Sequence, residues 1–338
     1  MRSIAVMNQK GGVGKTTTSV NLAAALARRG KRVLLIDMDP QAHASLHLGL
    51  EPTAETHSIY DVLTRDDSLE SVKKQPIENL WVVPSDLNLA GAEVELTGVV
   101  GREFILRDKL RADPGVYDYL IFDCPPSLGV LTINVLAAAK EVFIPLQPHF
   151  LALHGLSKLL QTIELVRNRL NRDLRLTGIV FCLYDSSTTL AREISGDVRR
   201  FFDEEAERAP NSPWADVVLY RTKIRRNIRL AEAPSFGESI FDYDPKSNGA
   251  DDYADLAAEV DGGKEEVDAR HKKSGTASRP GSAVCSAAEP MPKQQPEPKP
   301  ARIEPAGPEL AHPETAQAGE KPKGAGFFAP DPLPMETD

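Results

Sequence analysis

Ile4-Ala5-Val6-Met7-Asn8, followed at once by Gln9-Lys10-Gly11-Gly12-Val13-Gly14-Lys15-Thr16-Thr17, is the stretch on which the fold turns. The first five residues read as a buried strand, and 17–29 reads as an amphipathic helix. Between them, glycines let the backbone curl so that successive N–H groups point inward, while the helix N-terminus adds its positive dipole end. Strand, glycine loop and helix in that order predict a phosphate-binding loop. In such a loop Lys15 reaches the β- and γ-phosphates and the Thr16 hydroxyl ligates Mg²⁺. A plain glycine-rich turn would not need Gly-Lys-Thr-Thr. The predicted nucleotide-holding residues are therefore Lys10, Gly11, Gly12, Val13, Gly14, Lys15, Thr16 and Thr17, with ATP and Mg²⁺ as ligands.

The loop departs from the common pattern in one place. Gln9 stands where a first glycine is usual, and Lys10 adds a second lysine. A second cation is redundant for holding a nucleotide, but useful for neutralising charge on a transferring phosphoryl group. Lys10 is too close in sequence to fold back easily onto its own phosphates, so it is expected to reach across a dimer interface.

Moving outward, strand candidates recur at 32–37, 80–84, 119–123, 141–146, 178–183 and 217–220, with a helical stretch at 156–170. Most are continuous apolar runs, as in strands covered on both faces of a parallel sheet. The expected fold class is α/β: a doubly wound, mostly parallel sheet flanked by helices, built as one domain over 1–260. Two strands end in acids. The second closes Leu34-Leu35-Ile36-Asp37-Met38-Asp39, and the fourth closes Leu120-Ile121-Phe122-Asp123-Cys124-Pro125-Pro126. Ligands in open α/β sheets sit beyond the carboxyl ends of the strands. There, Asp37 is expected to make an outer contact to Mg²⁺, Asp39 to orient the attacking water, and Asp123 to ligate Mg²⁺ water. Each acid alone could instead be a helix cap or turn residue.

Composition bounds the rest. The chain has 338 residues and a net charge of -9, so any nucleic-acid binding must come from a local basic patch. One candidate is 221–229, which carries Arg221, Lys223, Arg225, Arg226 and Arg229 with no acid in nine positions. The alternative is a solvated run at the end of a strand. Cys124, Cys182 and Cys285 show no paired metal-ligand spacing. No apolar run approaches the roughly 20 residues of a membrane span, and no signal-peptide cleavage site follows Met1, so a cytoplasmic protein is expected. From Asp261 onward there are 13 of the chain's 26 prolines, and 261–338 reads as a disordered, proline-rich tail. Its one aromatic pair, Phe327-Phe328, is an incidental apolar spot or a short docking motif.

At these motifs the sequence resembles the ParA family of partition ATPases, near the short chromosomal type. Five stretches carry the resemblance: 10–18, 33–41, 117–129, 131–134 and 227–237. It covers about residues 1–260. It implies an ATP-driven cycle in which two subunits sandwich two ATP molecules, Lys10 of each touching the other's nucleotide. It further implies that the dimer coats duplex DNA without sequence preference, associates with the nucleoid, and is stimulated by a ParB-type partner. Arg226 and Asn227 match residues near the adenine in that family. Relatives often carry arginine at the position of Ser187, with Arg192 the nearest substitute here, and usually proline at the position of Arg225. A MinD-like membrane regulator would end in a basic amphipathic helix, whereas this chain ends acidic and broken by prolines. An iron–sulfur enzyme would need converging cysteines. Relatives that position flagellar, chemosensory or secretion machinery, or assist cellulose synthesis, are not separable from chromosome partition by residues 1–260.

Overall fold

The computed structural model describes residues 1–262 apart from 54, 55 and 151. The proline-rich stretch and Phe327-Phe328 lie outside the described residues. Eight strands, β1 (Arg2–Val6), β2 (Val33–Asp37), β3 (Lys74–Ile77), β4 (Leu80–Val83), β5 (Tyr119–Asp123), β6 (Glu141–Leu146), β7 (Arg175–Tyr184) and β8 (Val218–Arg225), form one sheet in the order β3-β4-β2-β5-β1-β6-β7-β8. All neighbouring strands pair in parallel except β3 with β4.

Helices cover both faces. They are α1 (Lys15–Arg28), α2 (His43–His47), α3 (Ile59–Thr64), α4 (Leu69–Val72), α5 (Leu89–Glu95), α6 (Ile105–Ala112), α7 (Val130–Ala138), α8 (Ala152–Arg169), α9 (Thr189–Arg208), α10 (Ile228–Glu232), α11 (Ile240–Tyr243) and α12 (Asn248–Val260). Because side chains alternate along a strand, each central strand feeds two cores. Leu34, Ile36, Leu120 and Phe122 face α5, α7 and α8. Val33, Leu35, Ile4, Val6 and Ile121 face α1 and α12. That double burial is why β2 and β5 are apolar at every position until their closing aspartates.

Several boundaries differ from the sequence reading: β1 ends at Val6 rather than at 8, β7 spans Arg175–Tyr184 rather than 178–183, and α8 starts at Ala152 rather than at 156. Three further differences bear on the site. Strand β3, which is not among the expected strands, carries Pro76; the proline is tolerated because β3 is the antiparallel edge, where a missing N–H costs little. It makes the Asp123 strand the fifth rather than the fourth. Strand β8 runs on to Arg225 instead of ending at 220, so three of the basic residues lie within the sheet. Finally, Asp261, assigned by composition to the tail, is tied to the fold. Tyr119 Oη donates to its Oδ1 at 2.8 Å, and Lys31 Nζ lies 3.0 Å from the same oxygen. Beside it, Arg2 donates to the Val260 carbonyl and pairs with Glu141 at 2.6 Å, clasping the end of α12 to the amino ends of β1 and β6.

Candidate functional site

The glycine loop turns at the carboxyl end of β1. Gly12 and Gly14 adopt φ of 71° and 91°, a left-handed conformation that an L side chain resists. Gly14 also backs onto Cys182 on β7, where an added Cβ would lie 3.6 Å from the cysteine Cβ. A Cβ at Gly11 or Gly12 would meet nothing within 4 Å, so the concave side of the loop is open. Val13 is buried and anchors the turn. Lys15 opens α1 and is only 8% exposed. Its Nζ donates to the Lys10 carbonyl at 3.2 Å, and burial lowers its pKa against the opposing pull of Asp123 and Asp39.

The acids converge from separate strands. Parallel register sets Asp37 of β2 beside Asp123 of β5. Thr16 Oγ1 donates to Asp123 Oδ2 at 2.8 Å, and Ser19 Oγ donates to Asp123 Oδ1 at 2.8 Å. Burial pushes Asp123 up to about 7, and the charge of Asp37 adds to that rise. Asp37 is pushed up to about 6 by burial, although Ser45 and the Asp39 backbone hydrogen-bond to it. Two buried carboxylates this close, with a hydroxyl on one of them, form an oxygen donor set that a hard divalent cation neutralises. The residues present therefore fit Mg²⁺.

Asp37 differs in detail from the sequence reading. Its Oδ2 accepts from Ser45 N at 2.9 Å and from Ser45 Oγ at 2.8 Å, and its Oδ1 accepts from Asp39 N at 3.2 Å. It ties the end of β2 to α2, whereas both oxygens of Asp123 are held by hydroxyls of α1. Asp39 is 9% exposed and lies on the cavity wall, with Oδ1 accepting from Gln41 N at 3.0 Å.

A cavity of about 660 Å³ opens here, lined by Gly11, Gly12, Gly14, Lys15, Thr16, Thr17 and Asp39, with Ala90 of α5 and Pro125, Pro126 and Ser127 beyond β5; Asp37 and Asp123 are fully buried and are not among its lining residues. A smaller hollow of about 110 Å³ shares Gly14 and Thr17 and adds Cys182, Asn227 and Tyr253. Together they offer a phosphate cradle and an adjoining, less polar slot. Asn227 lies on that slot; Arg226 is exposed and is not among its lining residues. Lys10 is likewise exposed and is not among the residues lining the cavity. Sequence reasoning missed Ser19, Ser45 and Ala90. Only Ser19 left a signal, standing three residues after Thr16 and so on the same face of α1.

Comparison with known proteins agrees with this geometry. A family model described as an AAA domain matches residues 1–176. The sporulation initiation inhibitor protein Soj of Bacillus subtilis is 48% identical over 258 residues, covering 76% of this chain and 97% of Soj. The chromosome partitioning protein ParA of Myxococcus xanthus is 45% identical over 260 residues, covering 77% of this chain and 87% of ParA.

The chain belongs to the ParA/Soj family of partition ATPases.

A solved structure of a cobyrinic acid a,c-diamide synthase from Mycobacterium smegmatis, with bound ATP analogue and magnesium, superimposes with a TM-score of 0.64 at 37% identity. It covers 81% of this chain and 97% of that one. The ParA/Soj chain is accordingly a P-loop ATPase that uses ATP and Mg²⁺.

The basic run that a ParA/Soj reading associates with DNA looks different once folded. The segment 221–229 contains no acid, yet acids reach it from elsewhere. Arg225 forks onto Asp252 of α12, with Nη2 2.6 Å from Oδ1 and Nε 3.0 Å from the same oxygen. Arg229 pairs with Glu232 at 2.8 Å and with Asp244 at 3.4 Å. Lys223 Nζ stands 4.0 Å from the centroid of the Tyr184 ring. The backbone N–H groups of Arg221 and Thr222 donate to Glu259. Arg226 remains exposed, beside Asp185, whose carboxylate is also bound by Ser187. Five formal charges are thus not five unshared ones. The cysteines of this ParA/Soj chain that lie among the described residues, Cys124 and Cys182, are both buried and free. No described helix is long and apolar enough to cross a membrane.

Proposed function

We propose that this ATPase is switched by ATP between a monomer and a dimer whose subunits share their nucleotide sites, and that the dimer binds duplex DNA without sequence preference. The observation that carries the reading is the contrast between the two lysines. Lys15 is buried inside the cavity, whereas Lys10, five residues away, is exposed and off its wall. A cation held outside its own site is available to a neighbour's.

The surface around the cavity mouth supports the same reading. Leu87 and Val94, flanking Ala90, are 72% and 77% exposed, and Phe150 beyond β6 is 83% exposed. Apolar side chains exposed in this number beside the nucleotide cavity suit an interface. In the closed dimer, Lys15 and the loop N–H groups hold the phosphates and Lys10 of the partner copy neutralises charge on the transferring phosphoryl group. Thr16 and Asp123 hold Mg²⁺, with Asp37 behind them, and Asp39 orients the attacking water. Bound magnesium supplies charge neutralisation on the phosphate oxygens.

For DNA we assign the leading contact to Arg226. Lys223, Arg221, Arg225 and Arg229 contribute less, because each is engaged by the fold. Such a surface works by releasing phosphate counterions and is salt-sensitive. A ParB-type protein that stimulates hydrolysis and a cytoplasmic, nucleoid-bound location complete the proposal, with chromosome or plasmid segregation as the task. The sequence resemblance supports both.

The test combines sedimentation with a DNA mobility shift, using wild type, Lys10→Ala and Arg226→Ala. ATP should produce a dimer and DNA binding in wild type, no dimer with Lys10→Ala, and a dimer with weak DNA binding in Arg226→Ala. Equal DNA binding with ADP and ATP would overturn the switch. A monomer at all ATP concentrations would overturn the shared site.

A further inference from the structure

A second concavity lined by charged side chains lies at the opposite end of the sheet from the nucleotide site. It measures about 710 Å³ and is bounded by the last turns of α8 and α9 and the loop after α9. An adjoining hollow of about 270 Å³ shares Arg167 with it and extends to Arg175, at the amino end of β7. The two make one groove.

Its walls are unusual for a protein of net charge -9. Arg167, Arg172 and Arg208 line the larger part, and Arg175 the smaller. Arg208 is paired with Glu205 at 2.5 Å, and Glu205 also accepts from the Trp214 indole N–H at 3.3 Å. Arg167 donates to the Asn211 carbonyl at 3.2 Å. Arg172 and Arg175 are exposed and have no ion pair among the described residues. On the same wall, the Ser212 hydroxyl is buried and lacks a hydrogen-bond partner. A buried hydroxyl without a partner costs free energy that a bound acceptor would recover.

We propose that this groove docks an acidic segment of a partner protein. Planar guanidinium forks match carboxylates two-pronged, and two of these forks are unspent. The groove's volume is that of a pocket for a few side chains. Glu164 and Asp216 also line it, and they would repel the continuous phosphates of nucleic acid while leaving room for spaced carboxylates. Position argues for simultaneous binding with nucleotide. Arg175 begins β7, whereas the phosphate loop lies at the carboxyl end of β1, so the two sites are separated by the length of the sheet. Helix α8 spans that distance. It starts just after Phe150, close to the loop whose His149 feels the charge of Lys10, and its last turns carry Arg167.

The experiment uses the full chain and a fluorescein-labelled poly-glutamate peptide, read by fluorescence anisotropy at low salt. Binding is expected with or without ATP. Arg172→Glu and Arg175→Glu should each weaken it about tenfold, as loss of a charge-assisted contact does, while Arg226→Glu leaves it unchanged. Both groove positions are exposed, so an unchanged thermal midpoint and basal ATPase rate will show that the variants are folded. Equal affinity across the groove variants would overturn the proposal. So would displacement of the peptide by duplex DNA together with loss of DNA binding in the same variants, because the groove would then be a nucleic-acid contact.

Discussion

Thr16 Oγ1 donates to Asp123 Oδ2 across 2.8 Å, joining the first turn of α1 to the end of β5. The two residues are 107 positions apart, and Ser19 completes the arrangement by holding the other carboxylate oxygen. Asp123 is fully buried, so every donor matters.

Removing one of those donors has a separable cost. Ser19→Ala should destabilise the protein by about 1–2 kcal/mol, as for a buried acceptor that loses a partner, and leave ATP binding nearly intact. Asp123→Ala should instead abolish Mg²⁺-dependent hydrolysis, lowering kcat by about 100-fold or more. Urea unfolding and a steady-state phosphate-release assay distinguish the two. If Ser19→Ala were as inactive as Asp123→Ala, the structural role given to Ser19 would be wrong.

The two lysines should separate in kinetics. Lys15→Ala should lose nucleotide affinity by about 100-fold, since a buried cation facing phosphate is removed. Lys10→Ala should keep monomer affinity within about twofold but lose the rise of specific activity with protein concentration. Titration with a fluorescent ATP analogue, followed by activity against enzyme concentration, reads both. A Lys10→Ala variant with unchanged concentration dependence would place that lysine outside the shared chemistry.

Neighbouring arginines should behave as opposites. Arg225→Ala breaks the fork onto Asp252, whose side chain is only 9% exposed, and should cost about 1–2 kcal/mol of stability, discounted because the arginine is half open to solvent. Arg226→Ala should shift stability by less than about 0.5 kcal/mol, as exposed substitutions do, and act on DNA binding alone. Thermal unfolding beside a mobility shift gives the comparison. Equal destabilisation by both would contradict the assigned division.

His47 supplies a pH signature. It is 1% exposed, its Nε2 has no hydrogen-bond partner, and burial lowers its pKa from 6.5 to about 4. The unfolded chain therefore binds more protons than the folded one between about pH 6.5 and 4, so this stabilisation is full above 6.5 and lost as pH falls. Relative to His47→Leu, wild type should lose up to about 1.4 kcal/mol per pH unit in that window. The quantity to follow is the stability gap between the two proteins from pH 7 to 4. A constant gap would mean that His47 takes up its proton as readily in the fold as in the unfolded chain.

Much of this was legible in one dimension. Glycine spacing between a strand and a helix specifies the loop, because its left-handed turns at Gly12 and Gly14 are a local backbone requirement. Continuous apolar runs specify strands covered on both sides, and an acid ending such a run marks the edge where ligands collect. Local character does not reveal where tertiary contacts overrule it. Pro76 is tolerated by an edge, and Asp261 is drawn into the fold by Tyr119 and Lys31.

Local chemistry thus settled the phosphate loop, the doubly wound sheet and the family likeness, since each depends on residues a few positions apart. Folding alone settled what each charge faces. Parallel register set Asp37 beside Asp123, α12 brought Asp252 to Arg225, and the curl of the loop buried Lys15 while leaving Lys10 outside. A residue's type is written in the chain, but the energy of a charge or a hydrogen bond depends on neighbours and burial, and long-range packing supplies both.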